Sequence, residues 1–154
     1  MKSIFFIIGV LVCCLKVHAQ QKDEYKIMVD SAIAIKYKQF KEATEKLSNK
    51  NYLENLYLLN EQDQPLNYLP SSGKFKAISV YDDRNRKAFA KGVYAWKVFT
   101  ALNKNQFMVT IVDFYITYKN HNYNFANAGG SKTVFEYQCD HKDWELLSSK
   151  SEGN

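Results

Sequence analysis

The sequence predicts an α+β fold in which one long N-terminal amphipathic helix packs on a curved antiparallel sheet of four to six strands. Apolar residues recur at helical spacing early in the chain, and short runs rich in β-branched and aromatic residues follow between polar turns. Removal of a leader leaves about 135 residues, enough for one domain with its own core. We therefore expect a single α+β domain over residues 20–154.

The first 19 residues have the pattern of a secretory signal peptide. Lys2 precedes an apolar run from Ile4 to Leu15 that is too short to cross a bilayer, and Val17-His18-Ala19 suits signal peptidase. We expect cleavage near Ala19, a periplasmic or secreted protein, and no integral membrane span in the mature chain.

Cysteine usage supports a soluble exported protein over a lipoprotein. Cys13 and Cys14 lie in the leader, so Cys139 is the one thiol of the mature chain and no intramolecular disulfide can form. Lipidation at Cys14 is disfavoured, because a lipobox carries Gly, Ala or Ser at the position of Cys13. The fold must then be held by its core.

Residues 23–47 have the clearest helical pattern of the chain. Asp23 and Glu24 favour the positive end of the helix, and Ser48-Asn49-Lys50-Asn51 ends it. One face is apolar: Tyr25, Met28, Val29, Ala32, Ile33, Tyr37, Phe40, Ala43 and Leu47. We expect this face to cover a sheet.

The remainder of the chain predicts strands joined mostly by short turns. The predicted strands are Leu53–Leu59, Phe75–Tyr81, Ala88–Leu102, Phe107–Tyr118, Thr133–Tyr137 and Trp144–Ser148. The pattern of the first also fits a helix, and Gly92 is expected to mark a bulge in the third. Phe107–Tyr118 carries six β-branched residues and has the strongest strand pattern. Residues 120–130 read as a polar loop and residues 149–154 as a frayed tail.

This order of elements resembles, in layout, the cystatin-like and nuclear-transport-factor-like folds, whose long bent strands wrap an N-terminal helix. The ends of the chain are similar to small exported proteins of Bacteroidota, through Val17-His18-Ala19-Gln20 and through Val134-Phe135-Glu136-Tyr137 with Trp144-Glu145-Leu146-Leu147. The first resemblance covers most of the mature chain as topology and the second only its ends. Neither implies a functional residue.

Asp113 is the first candidate for chemistry, because it interrupts an apolar strand on the face that also carries Ile111 and Tyr115. A carboxylate among apolar neighbours has a raised pKa unless it is hydrogen-bonded, which is how folds make general bases. Tyr115 and Tyr94 are the candidate hydrogen-bond donors beside it. The competing interpretation is that Asp113 is solvent-exposed, or that it pairs with Lys97 or another cation on a neighbouring strand.

The sequence predicts no metal site and no cofactor. Cys139 and His141 share one face of an extended segment, but only two ligands converge there, and tight-turn residues with an inward Cys139 explain the pattern. Asp82 and Asp83 precede Arg84 and Arg86, so we expect a salt-bridged turn instead of a calcium loop.

Aromatic residues make up 15% of the chain, which is the most unusual feature of its composition. They concentrate in the second half, where they either fill the core or line a binding face on the sheet. Tyr118, Tyr123 and Phe125 are the candidate binding residues, since they lie in or beside the Asn- and Gly-rich segment 120–130.

Charge argues against nucleic acid as a partner. Lys2 and Lys16 leave with the leader, which holds no acidic residue, so the formal net charge falls from +5 to about +3. The remaining basic residues are dispersed and form no stripe that a phosphate backbone needs.

Two function classes remain open from the sequence. The first is a non-enzymatic binding module of the cell envelope that engages an unknown protein or small ligand through an aromatic sheet face or the segment 120–130. The second is a small hydrolase or isomerase in which Asp113 is the general base in a cavity between helix and sheet.

Overall fold

The computed structural model describes residues 24–43 and 55–152. The predicted signal peptide, the predicted end of the first helix and the beginning of the first predicted strand lie outside the described residues. Residues 24–43 are helical throughout and are named α1 here.

In the described residues, six strands and one short α-helix follow α1, with a 3-10 turn at Asp83–Asn85, and the fold is α+β as expected. The strands are β1 (Leu56–Leu59), β2 (Phe75–Ala77), β3 (Val93–Asn103), β4 (Gln106–Lys119), β5 (Asn122–Gln138) and β6 (Asp143–Glu152), and the short helix is α2 (Arg86–Lys91). All six strands form one sheet in the order β2-β1-β3-β4-β5-β6.

The sheet is mixed, which corrects the expectation of a purely antiparallel one. β1 pairs in parallel with both β2 and β3, whereas β3, β4, β5 and β6 form an antiparallel meander. Parallel neighbours need a connection that returns across the sheet. The segment that contains α2 makes such a return, because it connects β2 to β3 on the other side of β1.

The predicted strand Ala88–Leu102 is wrong in its first part, which forms α2. Arg86 to Lys91 are mostly good helix formers, and the helix ends where the Gly92 N–H donates a 3.0 Å hydrogen bond to the Phe89 carbonyl. Gly92 has φ of 84°, a left-handed conformation that suits a residue without Cβ. Gly92 therefore ends a helix and does not mark a bulge, and β3 begins directly after it.

The predicted polar loop 120–130 is also wrong, because β5 begins at Asn122. Only Asn120 and His121 form the turn, with φ of 50° and 61°. Two consecutive residues with positive φ are typical of a two-residue β-hairpin turn, and Asn tolerates that conformation well. The Asn- and Gly-rich segment is therefore paired strand, and it cannot act as a free loop.

The other strand boundaries differ less from the sequence prediction. β4 confirms the strand Phe107–Tyr118, and β2 is shorter than predicted. β6 continues through Ser149–Glu152, which were expected to fray, because Thr133, Lys132, Ser131 and Gly130 of β5 pair with them.

A bulge divides the long β4–β5 ladder at Asp113. Val112 pairs with Gly130 and Phe114 with Asn127, so one residue of β4 faces two residues of β5. A Cβ on Gly130 would lie 2.7 Å from the Ile111 carbonyl oxygen, so glycine permits the close approach of the two strands there.

Two buried clusters lie on opposite faces of the sheet. The first packs α1 against residues including Trp96, Val109 and Ile111. The second packs Phe89 of α2 against the other face, where Ile116 is buried. The buried side of β4 thus changes from odd-numbered to even-numbered residues near the bulge. The helices cover different ends of the two faces.

Candidate functional site

Asp113 lies under α1 and forms an ion pair with Lys36 of that helix. The Lys36 Nζ donates a 3.1 Å hydrogen bond to Oδ2 and lies 2.8 Å from Oδ1. The Lys36 and Asp113 side chains are 6% and 18% exposed, and the Lys36 Nζ also lies 5.0 Å from the ring centroid of Trp96. Burial raises the pKa of Asp113, and the hydrogen bond and charge of Lys36 offset only part of that rise.

The partner of Asp113 differs from the one considered at first. Lys97 lies on β3 but pairs with Asp63 instead, with 2.7 Å between Nζ and Oδ1. The cation that reaches Asp113 comes from the helix and not from a neighbouring strand. A general base needs a free carboxylate facing a substrate, whereas this carboxylate is occupied by an ammonium group.

The structure brings Tyr94 and Tyr115 to one end of the same sheet face. They are direct cross-strand partners with ring centroids 4.8 Å apart, next to the pair Trp96 and Asp113 on the ladder. The Tyr115 hydroxyl donates to the Lys91 carbonyl at 3.3 Å, and Tyr94 is 36% exposed.

The candidate binding residues Tyr118, Tyr123 and Phe125 lie at the same end of β4 and β5 as Tyr115 but on the opposite face of the sheet, packed against the second cluster. They are half-buried, and the rings of Tyr118 and Tyr123 are 4.7 Å apart between centroids. Tyr123 also meets Phe89 and the exposed ring of Tyr81 edge to face. These aromatic rings contribute mainly to packing, with Tyr81 at their exposed margin.

The remaining sequence candidates lie in exposed turns. Asp82 accepts hydrogen bonds from the Arg84 N–H and guanidinium, and Asp83 lies 2.7 Å from Arg86, which confirms the salt-bridged turn. Cys139 is exposed, so the expected inward thiol is wrong. Across residues 24–43 and 55–152, no three His, Cys, Asp or Glu side chains gather as a metal ion requires.

An aromatic cleft lies at the start of α1, and we name it the first cleft. It has a volume of about 740 Å³. Its lining is Glu24, Tyr25, Met28, Thr100, Ala101, Leu102, Lys104, Asn105, Phe107, Tyr137 and Trp144. Four of its rings form a connected wall, with centroid distances of 5.3 Å for Tyr25–Phe107, 6.2 Å for Phe107–Trp144 and 5.3 Å for Tyr137–Trp144.

Five elements and a turn build the first cleft. α1 supplies Tyr25, and β3 supplies Leu102 next to its last residue. Phe107, Tyr137 and Trp144 come from β4, β5 and β6. Tyr25 is 44% exposed and Leu102 is 65% exposed. Exposed apolar residues that are grouped in a concave site often mark a binding site. Exposed apolar residues that are scattered singly over a surface do not.

A second cleft lies on the other side of Tyr25. It has a volume of about 570 Å³, and its lining is Tyr25, Lys26, Val29, Asn60, Glu61, Gln62, Leu66, Asn67, Tyr68, Val98 and Thr100. Asn60 organises the turn that forms one wall, because its Oδ1 accepts hydrogen bonds from the N–H groups of Gln62 and Gln64.

Sequence reasoning did not find either cleft. Tyr25 was assigned to the buried helix face and Trp144 to the aromatic group of the second half, and nothing along the chain indicates that they meet. The sequence holds one weak indication of the first cleft, because the apolar residue Leu102 ends a predicted strand beside the polar turn Asn103-Lys104-Asn105-Gln106. An apolar residue beside a polar turn is common, so this pattern would not have been decisive.

Comparison with protein-family models, with curated proteins and with solved structures finds no match to this chain. Within the described part of the chain, no helix has the length and apolar character needed to cross a bilayer.

Proposed function

We propose that this chain is an exported, non-enzymatic binding protein of the cell envelope, periplasmic or secreted, which takes a small apolar ligand into the first cleft. The observation that carries the proposal is the wall of Tyr25, Phe107, Tyr137 and Trp144 around a cleft of about 740 Å³. Small-molecule sites are typically concave, mostly apolar and about 300–1,000 Å³ in volume.

Binding is tested with the neutral fluorescent dye N-phenyl-1-naphthylamine on the mature protein. We expect saturable binding of one dye per chain, together with a change in tryptophan emission. The sequence holds two tryptophans, and Trp96 is 2% exposed in the core, so Trp144 is the reporter at the cleft.

A matched pair of surface substitutions locates the dye. Leu102→Asp places a charge at the cleft and should weaken dye binding at least about fivefold, which corresponds to one lost apolar contact of about 1 kcal/mol. Leu147→Asp makes the same change at a residue that is 53% exposed and borders neither cleft. Equal dye affinity in the two variants would reject the first cleft as the binding site.

Export is tested separately from binding. The proposal predicts that protein recovered from the envelope or the medium begins at Gln20, as measured by intact mass and N-terminal sequencing. A lipid-modified chain that begins at Cys14, or an unprocessed chain that begins at Met1, would contradict it.

The alternative function is a small hydrolase or isomerase with Asp113 as general base and Tyr94 or Tyr115 as donor. The observation that favours it is a buried carboxylate with a raised pKa beside a β-bulge, a feature often found near active sites. It requires Lys36 to leave Asp113 when substrate binds. Full activity of Asp113→Asn on any substrate that the protein turns over would exclude it.

A further inference from the structure

The two clefts share a wall, so they lie side by side at the start of α1. Tyr25 and Thr100 border each of them, and the Tyr25 hydroxyl and Thr100 Oγ1 are 3.0 Å apart. The next turn of α1 places Met28 at the first cleft and Val29 at the second. The boundary between the clefts is therefore a partly exposed tyrosine and the first turns of one helix.

The two clefts differ in polarity. The first is lined mainly by aromatic and aliphatic side chains, together with Glu24, Lys104 and Asn105. The second is bordered by the amides of Asn60, Gln62 and Asn67. Lys26 and Glu61 add one positive and one negative charge to the second cleft. Balanced charges and amide groups suit a neutral or zwitterionic group that is rich in hydrogen-bonding atoms.

The second cleft also borders Tyr68, whose hydroxyl lies beside Asp30. The Tyr68 hydroxyl and Asp30 Oδ1 are both buried and make no hydrogen bond of ordinary geometry with the described part of the chain. Burial and the neighbouring Asp30 carboxylate raise the pKa of Tyr68, so its hydroxyl keeps its proton. Tyr68 therefore adds no charge to the second cleft.

We propose that the two clefts form one site for a single-chain amphiphile, with its acyl or alkyl chain in the first cleft and a neutral or zwitterionic head group in the second. The proposal rests on the proposed function, because it assumes that the first cleft binds apolar ligands. Tyr25 is then the residue over which the ligand passes from one cleft to the other.

The test compares ligands that share one chain and differ in head group, each below its critical micelle concentration. Calorimetry measures binding of dodecyl maltoside, dodecylphosphocholine, dodecanoate and dodecanol to the mature protein, with maltose as the head group alone. Dodecyl maltoside or dodecylphosphocholine should bind at least about tenfold more tightly than dodecanol, as expected for one or two added hydrogen bonds. The first two ligands distinguish a sugar head group from a phosphocholine head group.

Two sets of substitutions assign the parts of the ligand to the clefts. Leu102→Asp should weaken every ligand that carries the chain. Gln62→Ala combined with Asn67→Ala should weaken the preferred ligand about tenfold and leave dodecanol unchanged. Both residues of this pair are exposed, and circular dichroism and thermal melting confirm that the variants fold. Leu147→Asp is the control for both sets.

The outcomes separate this inference from the proposed function. If N-phenyl-1-naphthylamine binds at the first cleft but all dodecyl ligands bind equally, the amphiphile inference is wrong and the proposed function stands. Tighter binding of dodecanoate than of the other ligands would reject the neutral or zwitterionic head group. If neither the dye nor any dodecyl ligand binds, both proposals fail.

Discussion

Lys36 and Asp113 place opposite charges between α1 and the sheet, where both side chains are largely withdrawn from water. Desolvation opposes each charge, and their mutual attraction together with the hydrogen bond from Nζ to Oδ2 compensates for only part of this cost at Asp113. The pair also fixes one helix position against one strand position. Removal of either partner therefore leaves a buried charge without compensation.

Asp113→Asn should lower the free energy of unfolding by about 3 kcal/mol, because it leaves the Lys36 ammonium buried without a counter-charge. Urea denaturation of the two proteins measures the difference. The control is Asp83→Asn, which breaks an ion pair whose side chains are 74% and 48% exposed and should cost less than about 1 kcal/mol. Equal losses in the two variants would show that Lys36 and Asp113 are not effectively buried.

The carboxyl group of Asp113 should titrate above the ordinary aspartate pKa of about 3.9. The folded state then holds this proton more tightly than the unfolded chain does. The protonated carboxyl group of Asp113 therefore favours the folded state. This contribution to stability is complete below about pH 4 and is lost as the pH rises through the folded pKa. Carbon NMR of the carboxyl group measures the folded value.

Lys36→Met should raise the pKa of Asp113 further, because it removes the group that lowers it. Asp82 is the internal control, since hydrogen bonds from the Arg84 side chain and N–H hold its pKa at about 2. A value for Asp113 at or below 3.9 in the native protein would contradict the prediction.

At the level of elements, the bulge between β4 and β5 changes which residues of β5 lie on each face of the sheet. Phe135 of β5 belongs to the cluster under α1, whereas Phe125, ten residues before it on the other side of the bulge, packs against the cluster on the face of α2. Gly129 has φ of 114°, and its N–H donates a 2.7 Å hydrogen bond to Asn127 Oδ1. These backbone features accommodate the extra residue of β5 opposite Asp113.

Gly130→Ala should lower the free energy of unfolding by about 1–3 kcal/mol, because the new Cβ would lie 2.7 Å from the Ile111 carbonyl oxygen and backbone must move. Chemical denaturation measures the loss. Ser131→Ala is the control at the next residue, where the buried Oγ makes no hydrogen bond with the described residues and its removal should be nearly neutral. A neutral Gly130→Ala would show that the strands are not in close contact there.

At the level of the whole molecule, the two buried clusters are joined through the same two strands. β3 and β4 contribute Trp96 and Val109 to the first cluster and Ala95 and Ile116 to the second. Loss of packing on one face therefore weakens strands that the other face needs. We expect the described residues to unfold as one cooperative unit.

Ile33→Ala in α1 and Phe89→Ala in α2 should each lower the free energy of unfolding by about 3 kcal/mol, since both side chains are fully buried. In each variant, the transitions followed by far-ultraviolet circular dichroism and by tryptophan fluorescence should coincide. Ile27→Ala, at a residue of α1 that is 62% exposed, should change stability by less than about 0.5 kcal/mol. Separate transitions in Phe89→Ala would show that the two clusters unfold independently.

Residue periodicity alone predicted α1, β4 and the α+β class. Spacing of three and four residues and runs of β-branched side chains are local properties, and each of these elements lies where its own pattern places it. Local patterns were insufficient for α2 and for the start of β5. Arg86 to Lys91 is too short to show a helical period, and Asn122 to Gly130 resembles loop sequence although it pairs with β4.

The tertiary structure decided the parallel pairing of β1, the partner of Asp113 and the two clefts. Lys36 and Asp113 are 77 residues apart, and Tyr25 and Thr100 are 75 apart. No short-range pattern encodes such contacts, because they depend on which strands pair and on where the helix crosses them. The candidate catalytic residues Asp113, Tyr94 and Tyr115 could be named from the sequence. The pairing of β3 with β4 brings Tyr94 beside Tyr115, and the ion pair and the shared wall between the clefts arise only when α1 lies across the sheet.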